Sequence, residues 1–447
     1  MNKSKTICVG IWAVALSAVA AGPRIDDSDV GILQDPDTRR VTVSYSLSGE
    51  PGIVTFAVQT NSADSGWVDV GGKAVSCVYG DVNRVVTNVA TQSSFVWIPD
   101  DVWPDRLIAN GTLRGVVTVW PTNDPPDYAV VEPRIKGGIS YYANAESLPG
   151  GVTNSIYRRG KFLMRRIHAT GKRFTMGAPF DESGTVTFKE TPHVVTLTND
   201  FYIGVFEVTQ EQGRISGVSW DTYFYFTNLP YSAELPLTGI DYSEIRGSST
   251  SVGGMWSSKI SPQEGHKVTE NSFLGRLRLM TGVEFDIPTE AEWEFACRAG
   301  TTGPTYAGWM YDDQLLDEIA WFAENSKSDD NSIAYPIDDN SRDSGTLPHP
   351  GGLKKPNAWG LYDMLGNVSE WCLDYPEVDF GSASVVAPMG AEESYNATSI
   401  KRIIRGGSHM TSRASLRAAA RSDTTVASHK SFNGVRLTCP CPPNAKW

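Results

Sequence analysis

Asp363 and Glu370 flank the glycine-bearing turn Met364-Leu-Gly-Asn-Val-Ser369. Two carboxylates around a turn whose free carbonyls can complete an oxygen shell suit a calcium ion. The same spacing suits a solvated acidic loop equally well. The six histidines, at 168, 193, 266, 349, 409 and 429, form no HxH or HExxH pair, the spacings by which histidine metal sites are usually recognised. Of the cysteines Cys8, Cys77, Cys297, Cys372, Cys439 and Cys441, Cys439-Pro-Cys441 is a possible soft-metal clip, and the absence of any CxxC argues against a zinc ribbon or iron–sulfur site.

These residues sit in a chain of 447, long enough for two domains, with 51 acidic against 39 basic side chains and a formal charge of -12. No basic run offers phosphate backbones or an anionic membrane surface a grip, so nucleic acid is not an expected partner. Lys3, Lys5, the apolar run Ile7 to Val19 and Ala18-Val19-Ala20 read as an export signal over 1–21. No later run is apolar enough to span a bilayer, so no membrane span is expected after cleavage. The expected location is the periplasm, cell surface or medium. Residues 22–125 alternate apolar and polar in Val41 to Leu47, Ile53 to Gln59 and Gly115 to Trp120, between turn formers such as Gly49-Glu-Pro-Gly52 and Asn110-Gly111. That pattern predicts an immunoglobulin- or fibronectin-like β-sandwich. Pro121-Thr-Asn-Asp-Pro-Pro-Asp127 opens a linker over 126–164, and a second domain follows at 165–447. There Thr289 and Glu292 form a capping box ahead of a helix that stops near Gly300, and Ser272 to Met280 carries a helical apolar face. Beyond Gly300, glycine and proline predict loops and short strands rather than packed helices. The fold class is mainly β with an α+β second domain of little regular structure.

Six phrases of the second domain resemble the formylglycine-generating enzyme family, also called sulfatase-modifying factors. They are Phe174-Thr-Met-Gly177, Phe201 to Gln210, Ile287 to Gly300, Pro356 to Trp371, Arg405-Gly-Gly-Ser408 and Gly434-Val-Arg-Leu437, in family order over about 165–441. The resemblance implies a variant of the C-type lectin fold with structural calcium. It maps one calcium onto Asp363, Gly366, Val368 and Glu370, the glycine and valine through backbone oxygens. It maps a second onto Asn325, Ser326, Asp343 and Gly345, across an insertion rich in Asp, Asn and Ser. It also implies a disulfide between Cys297 on the capping-box helix and Cys439, with Cys372 and Cys441 as a conceivable second pair.

The family's oxidation of a substrate cysteine needs two nearby thiolates to hold Cu(I). Here those positions fall at Thr411 and near Leu416, and no cysteine occurs between Leu373 and Thr438. A hydroxyl is a hard, weak ligand for Cu(I), so copper and that reaction are not expected. Ser369 also stands where the family usually has tryptophan. The expected function is therefore a binding module for an extracellular peptide, protein or glycan, with Trp256, Trp309, Trp321, Trp359 and Tyr362 as candidate face residues. The alternative is an oxidoreductase using other chemistry through Ser408, His409, Thr411 or Arg413 at the old pocket.

Overall fold

The computed structural model describes residues 12–17, 22–62, 66–72, 75–99, 112–179, 182, 190–218, 231–247, 268–308, 313–327, 346–376, 381–387 and 401–443. The chain divides into two compact units: 1–130 with 139–157, and 131–138 with 158–447.

The first unit contains β1 (Trp12–Ser17), β2 (Gly31–Gln34), β3 (Val41–Ser46), β4 (Gly52–Ser62), β5 (Gly66–Asp69), β6 (Val78–Gly80), β7 (Arg84–Val86), β8 (Gln92–Trp97) and β9 (Leu113–Pro121). One sheet runs β1-β9-β4-β5 with β7 also on β4, the other β2-β3-β8-β6. Alternation decides which side chains go inward: Val41, Val43 and Tyr45 of β3 are buried while Thr42 is exposed. They share one apolar core with Val54, Phe56 and Val58 of β4, and Phe56 packs edge-on to Phe95 of β8 with centroids 4.9 Å apart.

Regular structure covers part of two stretches for which the sequence predicts a signal and a linker. Part of the apolar run read as an export signal is β1, parallel to β9, with Trp12 opposite Arg114 and Ser17 opposite Val119. The rest of 1–21 lies outside the described residues. An apolar run beside a sheet edge can satisfy its backbone in the ladder. The 126–164 linker also carries regular structure: β10 (Tyr128–Val131), β11 (Ile139–Tyr142), α1 (Ile156–Arg159) and the start of β12 (Phe162–Ile167). Pro125 and Pro126 interrupt the chain only locally, because the apolar Tyr128 to Val131 that follows is buried throughout.

In the second unit β12, β15 (Phe201–Gly204) and β21 (Thr438–Pro440) are antiparallel neighbours. A small sheet joins β13 (Arg173–Met176), β14 (His193–Thr196) and β17 (Val385–Val386). Another runs β19-β18-β16-β20, from Arg421–Thr425, Lys401–Arg405, Ser369–Trp371 and Asn433–Gly434. The helices are α2 (Gln210–Ile215), α3 (Tyr242–Arg246), α4 (Phe273–Thr281), α5 (Glu290–Arg298) and α6 (Asp313–Ile319).

The capping box is present: Thr289 Oγ1 accepts Glu292 N–H at 3.2 Å and Glu292 Oε2 accepts Thr289 N–H at 2.9 Å. Helix α5 ends at Ala299 in the left-handed region, φ 46°, followed by Gly300 at φ 90°. Helix α4 is the Ser272–Met280 expectation shifted by one residue, because Ser272 is its cap. Helix α6 corrects the expectation of no helix beyond Gly300: Leu316 and Ile319, three apart, bury one face despite the flanking glycines. Among the described residues, no helix is long and apolar enough to cross a membrane.

Candidate functional site

The family phrases meet in the second unit through buried charge. Glu294 of α5 accepts the Gly177 N–H at 2.9 Å, pairs with Arg298 at 2.8 Å, and bonds Arg405 of β18. Glu290 takes Arg421 of β19 in a fork at 2.6 and 2.7 Å. Helix and sheet are thus joined by guanidinium–carboxylate pairs, a geometry arginine supplies and lysine does not.

Glu370 on β16 is the centre of a second buried group. Arg436 Nε lies 2.9 Å from both of its oxygens, Arg436 Nη2 lies 2.6 Å from Oε1, and Trp293 Nε1 donates to Oε2 at 2.6 Å. Arg436 also donates to the carbonyls of Gly204 and Tyr362, each at 2.9 Å. Asp363, in the left-handed region at φ 55°, accepts Gly352 N–H on Oδ2 at 2.8 Å, while its buried Oδ1 has no hydrogen-bond donor. Burial pushes its carboxyl above the ordinary range, against the Gly352 bond and the Arg436 charge.

Glu207, which the sequence reading did not single out, completes the group. It accepts Asn367 Nδ2 at 2.6 Å and Val368 N–H at 3.2 Å. Burial first, then the charges of Asp363 and Glu370, push it well above the usual carboxylate value. Its signal was a lone carboxylate inside the apolar run Phe201 to Val208, where a buried charge needs a partner.

These oxygens test the calcium assignment. Asp363 Oδ1 is a buried hard donor without a proton donor, in a cluster where three carboxylates share one guanidinium, and it fits a calcium ion. Glu370 already receives two donors on each oxygen, and the cation against it is Arg436. Gly366 is in the turn because its backbone, at φ 79°, packs on Trp321, whose carbonyl oxygen would lie 2.1 Å from an added Cβ. Val368 is buried and gives its N–H to Glu207. At the second expected position, Asn325 Oδ1 accepts Phe322 N–H at 2.8 Å and its Nδ2 donates to Asp317 and to the Ala320 carbonyl, each at 3.0 Å. Ser326 is fully buried beside it. Asp343 and Gly345 lie outside the described residues, as do Trp256 and Trp309.

Asn367 links this group to the 408–411 loop. Its Oδ1 accepts His349 N–H at 2.9 Å, its carbonyl accepts His409 N–H at 2.8 Å, and its own N–H donates to the Trp321 carbonyl at 2.8 Å. Ser408 and Thr411 spend their hydroxyls locally: Thr411 Oγ1 accepts Ser408 N–H at 2.9 Å and lies 3.3 Å from Ser408 Oγ. His409 is buried, with Nδ1 3.2 Å from Thr346 Oγ1. Burial, reinforced by His349, pushes its imidazole down to about 3. Arg413 is half-buried with its guanidinium carbon 5.8 Å from the Phe322 ring centre, and Leu416 is core. Beside this loop the half-buried Trp321 stacks on His349 at 3.7 Å and has Lys354 Nζ 3.8 Å from its ring centre. Trp359 packs edge-on to Phe295, and Tyr362 stacks on Phe206.

The structure does not show the expected disulfide. Cys297 and Cys439 are both buried thiols: Cys297 Sγ points to the Met364 carbonyl at 3.9 Å, whereas Cys439 lies on β21 opposite Tyr202. Burial pushes the Cys297 thiol up to about 12. The two-residue shift that places Cys439 on the expected strand face does not bring its sulfur onto Cys297. Cys372 is likewise a buried thiol.

A mainly β unit with few helices, tied together at these motifs, is a C-type-lectin-like domain. Residues 160–439 match the model of the sulfatase-modifying factor enzyme 1-like domain, and the chain belongs to that family. It is 29% identical over 187 residues to the chaperone protein LppX of Paenibacillus barcinonensis, covering 40% of this chain and 64% of that one. It is 28% identical to the formylglycine-generating enzyme of Thermomonospora curvata over 42% of this chain and 59% of that one. For the Streptomyces coelicolor enzyme the identity is 31%, over 34% and 45% respectively. The chain thus spans roughly half to two thirds of these relatives. Among solved structures, the Treponema denticola variable protein 1 aligns at TM-score 0.44 and 24% identity, covering 63% of this chain and 95% of that one.

Proposed function

We propose that this family member is an exported, non-catalytic binding module whose second unit holds a peptide or glycan. The observation that carries the reading is the pairing of a spent catalytic loop with an aromatic–cationic group beside it. The loop's thiolate positions are Thr411 and Leu416, its two hydroxyls serve each other, and His409 is buried and neutral. A proton-transfer group needs reach and a matched proton affinity, and His409 has neither. This weighs against the alternative, an oxidoreductase working through Ser408, His409 or Arg413. Trp321, His349 and Lys354 offer what a ligand-binding face uses: a ring plane for a sugar or apolar side chain and a cation for an acidic group. Leu353 is 61% exposed beside them.

Calcium belongs to this reading as a structural ion. Asp363, with backbone oxygens of Gly366 and Val368, would hold it, while Glu370 stays with Arg436 and Trp293. It would supply positive charge to a buried cluster of three carboxylates and one arginine.

A glycan and peptide array probed with the full-length protein, and with Trp321→Ala and Lys354→Ala, tests the binding role. The expected result is a ligand class held by the native chain and weakened at least about fivefold by Trp321→Ala, by loss of about 1–3 kcal/mol of stacking and desolvation. Turnover of a cysteine-bearing sulfatase peptide, read as an aldehyde by mass spectrometry, would overturn the non-catalytic reading.

A further inference from the structure

A cluster remote in sequence from the calcium-type turn brings together the ligand set of a transition metal. Asp241 caps helix α3, Glu244 lies in its first turn, and His429 comes from the loop after β19. His429 Nε2 lies 3.3 Å from Glu244 Oε2 and 3.6 Å from Asp241 Oδ2. All three ligand atoms fall within 4.8 Å of one another. Ligands held about 2.0–2.2 Å from one ion at tetrahedral angles stand roughly 3.3–3.6 Å apart, and the two separations from His429 Nε2 have that spacing.

The backbone holds the three in place. Tyr242 N–H donates to the Val426 carbonyl and Gly239 N–H to the Lys430 carbonyl, each at 3.0 Å, tying the 426–430 loop to the start of α3. Asp241 Oδ1 is committed to the Glu244 N–H at 2.7 Å and the Ser243 hydroxyl at 2.9 Å, which leaves Oδ2 directed at the imidazole. The imidazole also donates to the carbonyl of Ala427, an acceptor outside the cluster. That bond is the kind of outer contact that fixes the tautomer and orientation of a ligating histidine. His429 Nε2 faces both carboxylates, and Glu244 Oε2 also accepts the Asp241 N–H at 3.1 Å. A divalent cation would take the place of the imidazole proton between these three side chains.

We propose that Asp241, Glu244 and His429 form a site for a divalent first-row transition ion, with water completing its shell. The imidazole nitrogen favours zinc or a neighbouring metal over calcium, which takes oxygen ligands. Solvent has a path in, because the Glu244 side chain is 40% exposed and His429 19% exposed, while Asp241 at 7% anchors the site from below. Bound metal would clamp the 426–430 loop to α3.

The test is zinc binding by the chelator-stripped full-length protein, followed by titration calorimetry in excess calcium so that oxygen-only sites are filled. One zinc ion per chain is expected, with affinity falling at least tenfold in His429→Ala and in Asp241→Asn. The asparagine keeps a capping oxygen, and near-UV circular dichroism checks that each variant is folded. X-ray absorption should show a nitrogen and oxygen shell without sulfur. Zinc retained by His429→Ala, a sulfur-containing shell, or zinc binding abolished by thiol alkylation would assign the metal elsewhere and overturn the proposal. Absence of zinc binding would leave the three residues as an ion pair with a protonated histidine and overturn it equally.

Discussion

Arg436 meets Glu370 at side-chain exposures of 0% and 1%, with Nη2 2.6 Å from Oε1. The pair joins Arg436, in the loop between β20 and β21, to β16, and the same guanidinium satisfies carbonyls of Gly204 and Tyr362. Breaking such a pair from one side leaves a buried charge uncompensated. Arg436→Met is therefore expected to destabilise the second unit by about 3–5 kcal/mol. The double variant with Glu370→Gln should recover part of that loss. Urea denaturation of the three proteins measures it, and a single-variant loss below about 1 kcal/mol would show the pair to be energetically ordinary.

Asp363 carries the calcium prediction. An ion that binds only the native state stabilises by RT ln(1 + [L]/Kd), about 2.7 kcal/mol at a hundredfold excess over Kd. Calorimetry should show the second unit melting earlier in EDTA than in calcium, with the first unit unmoved. Asp363→Asn should mimic the chelator. A transition that stays put in the native protein and in the variant, each with calcium and with EDTA, removes calcium from the assignment.

His409 sets a pH dependence whose sign follows from its environment. Its folded value lies near 3, below the ordinary 6.5, so the folded state resists protonation that the unfolded chain accepts. The contribution is complete above pH 6.5 and is lost as pH falls toward 3. Between pH 7.5 and 5 the loss from this group is about 2 kcal/mol. His409→Gln should flatten that part of the stability profile, read from denaturation midpoints at both pH values.

The buried thiols give a chemical prediction. Cys297, Cys372 and Cys439 have thiol groups that burial holds protonated, Cys297 at about 12 and the other two well above the ordinary value. Only the thiolate is the reactive form. Mass spectrometry after iodoacetamide should find these three unmodified in the native protein and alkylated after unfolding without reductant. A mass 2 Da lower with Cys297 linked to Cys439 would restore the disulfide instead.

Local physics was legible in the sequence. Thr289, Glu292 and Gly300 mark helix α5 because caps and left-handed stops act within a few residues of the backbone they serve. The strands around Val43, Phe56 and Val117 follow from period-two alternation, and the sequence carries no cysteine between Leu373 and Thr438. Tertiary structure alone decided the partners. Glu207 meets Asn367, Glu370 meets Arg436, and Asp241 meets His429 across more than 60 positions, through sheet register and loop crossings that no local spacing encodes. The same holds for what burial does to a group. His409 on the 408–411 loop and Cys297 on its helix carry the residue types of chemistry. Desolvation by distant chain segments made the first a neutral core imidazole and the second an unreactive thiol.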